Sequence, residues 1–160
     1  MENNLKTRKN LRLVGYNYSN NGSYFITICV KNRECILSKI INDNGNIELL
    51  EYGKITKKYI QTVDKVYKDI KITKYVIMPN HIHLICDIYN DTIKDETRQN
   101  ERIPFLISTL KRLTNKESKI KIWQRSYYEH IIRNEQEYLK ILTYIENNPR
   151  KWKEDKYFDR

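Results

Sequence analysis

Ile70-Lys71-Ile72-Thr73-Lys74-Tyr75-Val76-Ile77-Met78-Pro79-Asn80-His81-Ile82-His83-Leu84-Ile85-Cys86-Asp87-Ile88 consists of two apolar, β-branched-rich runs separated only by Pro79-Asn80. Proline fixes φ and removes a ladder donor, so Ile70–Met78 and His81–Ile88 read as the two arms of an antiparallel hairpin. Side chains alternate along a strand, which places His81 and His83 on one face and Ile82, Leu84 and Cys86 on the other, core-facing side.

Upstream, Tyr24–Val30 is aromatic and β-branched and follows the turn-forming Asn20-Asn21-Gly22-Ser23, as expected of a buried strand. Cys35–Ile41 and Ile47–Tyr52 flank Asn42-Asp43-Asn44-Gly45-Asn46, which predicts a second hairpin with a longer loop. From Lys54 to Tyr67 the apolar residues Ile55, Tyr59, Val63, Val66 and Tyr67 recur at helical spacing. Downstream, the polar stretch Tyr89–Glu101 reads as a loop, and Ile103–Lys116 as a helix with Ile103, Leu106, Ile107, Leu110 and Leu113 on its apolar side. Trp123–Ile132 then predicts a strand and Glu135–Asn147 a helix that Pro149 stops. Leaving aside the inserted hairpin and the last helix, the order is βαββαβ, the ferredoxin-like split-βαβ arrangement of an α+β fold, with helices on one face of an antiparallel sheet.

A chain of 160 residues and 19.5 kDa has the size of one domain, expected here over 1–160. Hydrophobic residues at 39% supply enough apolar surface to fold, which excludes wholesale disorder. Thirty Lys and Arg against 20 Asp and Glu give a net charge of +10, the balance of a protein that meets a polyanion, although charge runs also serve simply as solvated faces. Cys29, Cys35 and Cys86 are odd in number and have no CxxC spacing, so they read as reduced core residues of a cytosolic protein, and a structural Zn²⁺ site lacks its ligand pattern. No apolar stretch follows the polar start Met1-Glu2-Asn3-Asn4, and no run approaches the ~20 apolar residues of a bilayer span. The expected location is therefore cytoplasmic and nucleoid-associated, with no membrane partner.

A His-x-His pair on a strand has the geometry to chelate one cation, yet so short a motif also arises from two surface histidines that face water. The longer run Tyr75–Ile85 closely resembles the HUH (His-hydrophobe-His) signature of the single-tyrosine transposases. Downstream, Trp123-Gln124-Arg125-Ser126-Tyr127-Tyr128-Glu129-His130-Ile131-Ile132-Arg133-Asn134 and Tyr144-Ile145-Glu146-Asn147-Asn148-Pro149 look like the C-terminal half of the REP-associated tyrosine transposases, relatives of the small transposases of bacterial insertion sequences. The resemblance runs from about Gly15 to Trp152 in three blocks of the right order.

It implies a ferredoxin-like fold, a divalent cation (Mg²⁺ or Mn²⁺) on His81 and His83, and a helix-borne Tyr144 that attacks a DNA phosphodiester, leaving a 5′-phosphotyrosine and a free 3′-hydroxyl. The implied partner is single-stranded or hairpin DNA, acted on by a monomer or homodimer. Taken without the resemblance, Tyr144 in a helix with Tyr138, Ile141 and Ile145 also fits a boundary aromatic. Asn148, one turn later on the same helix face, corresponds to the side chain that completes the metal's ligands in related transposases, and a helix cap is the competing use before Pro149. Lys111, Arg112, Lys116, Arg125, His130 and Arg133 are candidate DNA contacts, with His130 equally suited to a structural hydrogen bond. Trp123, Tyr127 and Tyr128 suit either stacking on unpaired bases or core packing. The rival class is a non-catalytic nucleic-acid-binding module, because ferredoxin-like sheets also serve as RNA platforms.

Overall fold

The computed structural model describes residues 22–89 and 102–158, so the expected loop beyond Tyr89, the turn residues Asn20 and Asn21 and the start of the resemblance near Gly15 lie outside the described residues. In chain order the elements are β1 (Gly22–Cys29), β2 (Ser38–Ile40), β3 (Ile47–Leu49), α1 (Glu51–Val66), β4 (Ile70–Ile77), β5 (His81–Ile88), α2 (Arg102–Ser118), β6 (Tyr128–Ile132) and α3 (Glu135–Asn147). Among the described residues the main sheet is antiparallel in the order β4-β5-β1-β6, the strand order of a ferredoxin-like split βαβ, while β2 and β3 pair separately as the inserted hairpin.

The period-2 pattern of the central strands sorts the protein into two layers of packing. Tyr24, Ile26 and Ile28 of β1 and Ile82, Leu84 and Cys86 of β5 are buried against Ile60 and Val63 of α1 and Ile103, Leu106, Ile107 and Leu110 of α2. On the opposite face, Phe25, Val76, Met78, Ile85 and Ile132 pack with Tyr138, Ile141, Leu142 and Ile145 of α3. The last helix therefore covers the face that carries the histidines, and α1 and α2 cover the other. Full burial of one aliphatic side chain contributes about 1.5–3 kcal/mol, so the fully buried Ile82 and Leu84 hold β5 in register from behind the histidines. Gly53 brings α1 against the inserted hairpin, since a Cβ there would stand 2.0 Å from the Leu37 carbonyl oxygen.

Three expectations change. The helix starts at Glu51 rather than Lys54, because β3 ends at Leu49 and Leu50 N donates to Leu37 O (2.9 Å), which turns the chain directly into α1. The last strand spans only Tyr128–Ile132: Trp123 makes a single bridge to Val30, its indole N–H donates to Thr114 Oγ1 (2.7 Å), and the chain to Tyr127 leaves the sheet. Of the cysteines only Cys86 is a buried core residue; Cys29 is partly buried and Cys35, before the inserted hairpin, is exposed. Among the described residues no helix is long and apolar enough to cross a membrane.

Candidate active site

The histidine face takes its geometry from sheet register. His81 lies opposite Cys29 and His83 opposite Thr27, and Tyr128 lies opposite Thr27 on the far side, so one row of side chains crosses β5, β1 and β6. Both imidazoles are buried, at 0% and 1% exposure, and are not the water-facing pair that the bare motif also allowed.

Their orientation is set from behind. Asn80 Nδ2 donates to the carbonyl oxygens of Tyr157 (2.8 Å) and Arg33 (3.3 Å), which turns its Oδ1 toward His81 Nδ1 at 2.8 Å. An amide oxygen only accepts, so His81 carries its proton on Nδ1 and presents a bare Nε2. Thr27 Oγ1 holds His83 Nδ1 at 2.7 Å. The two Nε2 atoms are 3.1 Å apart, close to the ~3.0 Å expected of two nitrogens each about 2.1 Å from one ion at a right angle. Burial pushes His81 down to about 4, against the pull of Asp155, and burial followed by the neighbouring His81 lowers His83 well below the ordinary 6.5. Both rings are thus neutral at pH 7, the ligand form of histidine.

Tyr144 reaches this pair from α3. The helix is started by Asn134, whose Oδ1 accepts from Glu137 N (2.8 Å), and is rooted by the buried Ile145. The neighbouring Tyr144 turns its hydroxyl to 3.4 Å from His83 Nε2, with its ring edge-on to Phe25 at 6.0 Å, while remaining 40% exposed. Burial first, and Asp155 second, push its phenol up to about 12, so the hydroxyl is protonated at neutral pH. Asn148 stays in helical geometry (φ −55, ψ −42) despite Pro149, which keeps it one turn after Tyr144 on the same face. Its side chain is buried, Nδ2 donates to Asp155 Oδ2 (2.6 Å), and Oδ1 is a buried oxygen with no hydrogen-bond partner. An orphaned amide oxygen beside two neutral imidazoles is the donor set that a divalent cation fits.

The remaining wall was not read from the sequence. After α3 a 3₁₀ turn, Trp152–Glu154, leads to Asp155, whose carboxylate groups with the two imidazoles, all three ligand atoms lying within 4.8 Å of one another. Tyr157 packs on His81 with ring centroids 4.5 Å apart and Trp152 at 5.9 Å. Lys156 lies over the rings of Tyr128 (5.6 Å) and Tyr157 (5.0 Å), so a positive charge and an exposed aromatic stand beside the histidine row.

The candidate DNA contacts are scattered. Lys111 gives its ammonium to the carbonyls of Gln124 (2.8 Å), Ser126 (3.0 Å) and Arg125 (3.2 Å), tying down the loop before β6, and burial pushes it down to about 8. His130 pairs with the Glu137 carboxylate, joining β6 to the first turn of α3; Glu137 also accepts from Arg133 N (2.8 Å), and these bonds hold its carboxyl below the usual range. Arg112 and Lys116 are exposed on α2, across the sheet from the histidines, and Arg125 and Arg133 are exposed at either end of β6. Trp123 is buried in the core and Tyr127 packs against it, while Tyr128 remains exposed on the histidine side.

No family model matches this chain. A Haemophilus influenzae (strain Rd) protein described as uncharacterized is 36% identical over an alignment of 169 residues that covers 94% of this chain and 93% of the relative. Among solved structures, that of a REP-associated tyrosine transposase bound to a REP hairpin aligns with a TM-score of 0.58 and 23% identity, covering 82% of this chain and 68% of the other. The chain shares that fold.

Proposed function

We propose that this chain, which belongs to one family with the Haemophilus influenzae protein, is a REP-associated-type HUH tyrosine transposase that nicks and rejoins single-stranded DNA, next to hairpins of the kind its structural neighbour was solved with. The observation that carries the reading is the convergence of His81 Nε2, His83 Nε2 and the unpartnered Asn148 Oδ1 beside the Tyr144 hydroxyl. A module that only bound nucleic acid would have no use for that combination.

His81, His83 and Asn148 would hold Mg²⁺ or Mn²⁺, which when bound neutralises phosphate charge and favours the ionised phenol. Tyr144 Oη then forms a bond to phosphorus and the bond from phosphorus to the 3′-oxygen breaks. The phenol gives up one proton and the departing 3′-oxygen gains one. The products are a 5′-phosphotyrosine and a 3′-hydroxyl, and attack by a 3′-hydroxyl on that ester reverses the step and rejoins strands without a nucleotide cofactor. Ile145 and the Asn134 cap fix the position of Tyr144, and Asn80 and Thr27 fix both rings. Exposed Arg112, Lys116, Arg125 and Arg133 supply phosphate contacts, and Tyr128 a stacking surface for an unpaired base.

The test is cleavage of single-stranded and hairpin oligonucleotides with Mn²⁺ or Mg²⁺. His81→Ala and His83→Ala lose cleavage and keep strand binding; normal cutting by both variants overturns the reading.

A further inference from the structure

The metal reading above leaves one buried group without a role. We propose that Asp155 is itself a ligand of the divalent cation, completing with His81, His83 and Asn148 a set of two imidazole nitrogens, one amide oxygen and one carboxylate oxygen. The inference rests on that reading and extends it to a residue outside the His-hydrophobe-His and tyrosine blocks.

The Asp155 side chain is 1% exposed and its Oδ2 stands 3.9 Å from His81 Nε2. Its hydrogen bonds come from neutral amides: Asn148 Nδ2 to Oδ2 (2.6 Å) and the backbone N–H of Tyr157 to Oδ1 (2.8 Å). Among the described residues no lysine or arginine forms an ion pair with it. A carboxylate withdrawn from water needs a compensating cation. The groups around Asp155 thus converge on one need: two imidazoles whose Nε2 atoms stand 3.1 Å apart, an amide oxygen without a donor, and a carboxylate without a lysine or arginine ion pair. One divalent ion satisfies all four, and hard oxygen donors beside two imidazoles suit Mn²⁺ and Mg²⁺. The position is built rather than accidental. The 3₁₀ turn closes with Asp155 N donating to Trp152 O (3.0 Å), and the bond from Tyr157 N fixes the carboxylate on the next residues.

The experiment is Mn²⁺ titration of the full chain without DNA, read by the electron paramagnetic resonance of free Mn²⁺, on the unsubstituted protein, Asp155→Asn, Asp155→Ala and His81→Ala. We expect His81→Ala to lose binding and both Asp155 variants to weaken it tenfold or more. A smaller loss in both, with His81→Ala still deficient, overturns the role of Asp155 alone. Undiminished binding by His81→Ala overturns the parent metal reading as well. Independently of any variant, ¹⁷O-water line broadening counts the waters left on bound Mn²⁺. An ion that takes about six donors keeps about two waters if Asp155 binds through one oxygen, and about three if it does not bind, which overturns the proposal.

Discussion

Asn80→Ala probes the support behind the histidines. The wild-type side chain is 1% exposed and makes three hydrogen bonds, two donated to the Tyr157 and Arg33 carbonyls and one accepted from His81 Nδ1–H. The Arg33 contact, at 3.3 Å, is the weak one. Leaving two well-made partners unsatisfied costs about 1–2 kcal/mol each, so the variant should lose about 2–4 kcal/mol. That is a large share of the roughly 5–15 kcal/mol that holds a domain of this size. The second effect is on the site: without the acceptor on Nδ1, His81 is free to carry its proton on Nε2, and Mn²⁺ affinity should fall about 10- to 100-fold. Asn80→Asp separates the two effects. Its carboxylate still accepts from His81 but sets an oxygen against two carbonyl oxygens, so stability falls while metal affinity drops less than in Asn80→Ala. Urea denaturation followed by circular dichroism and Mn²⁺ titration measure both. A stability within about 0.5 kcal/mol of wild type, with unchanged Mn²⁺ affinity in Asn80→Ala, refutes the account of how His81 is oriented.

Other perturbations give separate outcomes. Tyr144→Phe removes a hydroxyl whose contact to His83 is a long 3.4 Å, so the denaturation midpoint should move by less than about 1 kcal/mol while all covalent chemistry disappears. Lys111→Met deprives three carbonyls of their donor and should lower stability by about 1–3 kcal/mol while leaving Mn²⁺ affinity unchanged. In metal-free buffer, stability should fall as pH drops from the ordinary histidine value of 6.5 towards the value of about 4 to which burial pushes His81. The unfolded chain binds more protons in that window, and the loss is at most about 3 kcal/mol for His81; a flat urea midpoint across it contradicts neutral burial of the ring. Single-strand affinity should decline with salt by about 0.7 log units per contacted phosphate per log unit of salt, and a flat response removes DNA as the partner.

Period-2 and period-3.6 patterns carried much of this structure. The alternation in His81–Ile88 placed both histidines on one face because β5 is buried on both sides and cannot slip register. The end of α3 at Asn147 was legible because Pro149 punctuates it, while the Asn134 cap at its start emerged only from the structure. What covers the histidines was not legible, because Trp152–Tyr157 has no periodic pattern and its place follows from where α3 ends. Asp155 was missed for that reason. Asn80 was visible only as a turn residue, although its amide also orients His81. Lys111 and His130, read as candidate DNA contacts from charge and position, have partners in the loop before β6 and in Glu137 that only tertiary structure brings near.

The covalent role of Tyr144 is tested by peptide mapping, by mass spectrometry, of the protein trapped on a single-stranded hairpin oligonucleotide in Mn²⁺. The DNA phosphate should be found on the peptide containing Tyr144, in the wild type and equally in Tyr127→Phe and Tyr128→Phe, and no adduct should form in Tyr144→Phe. Attachment to any other residue, or an undiminished adduct in Tyr144→Phe, contradicts the account.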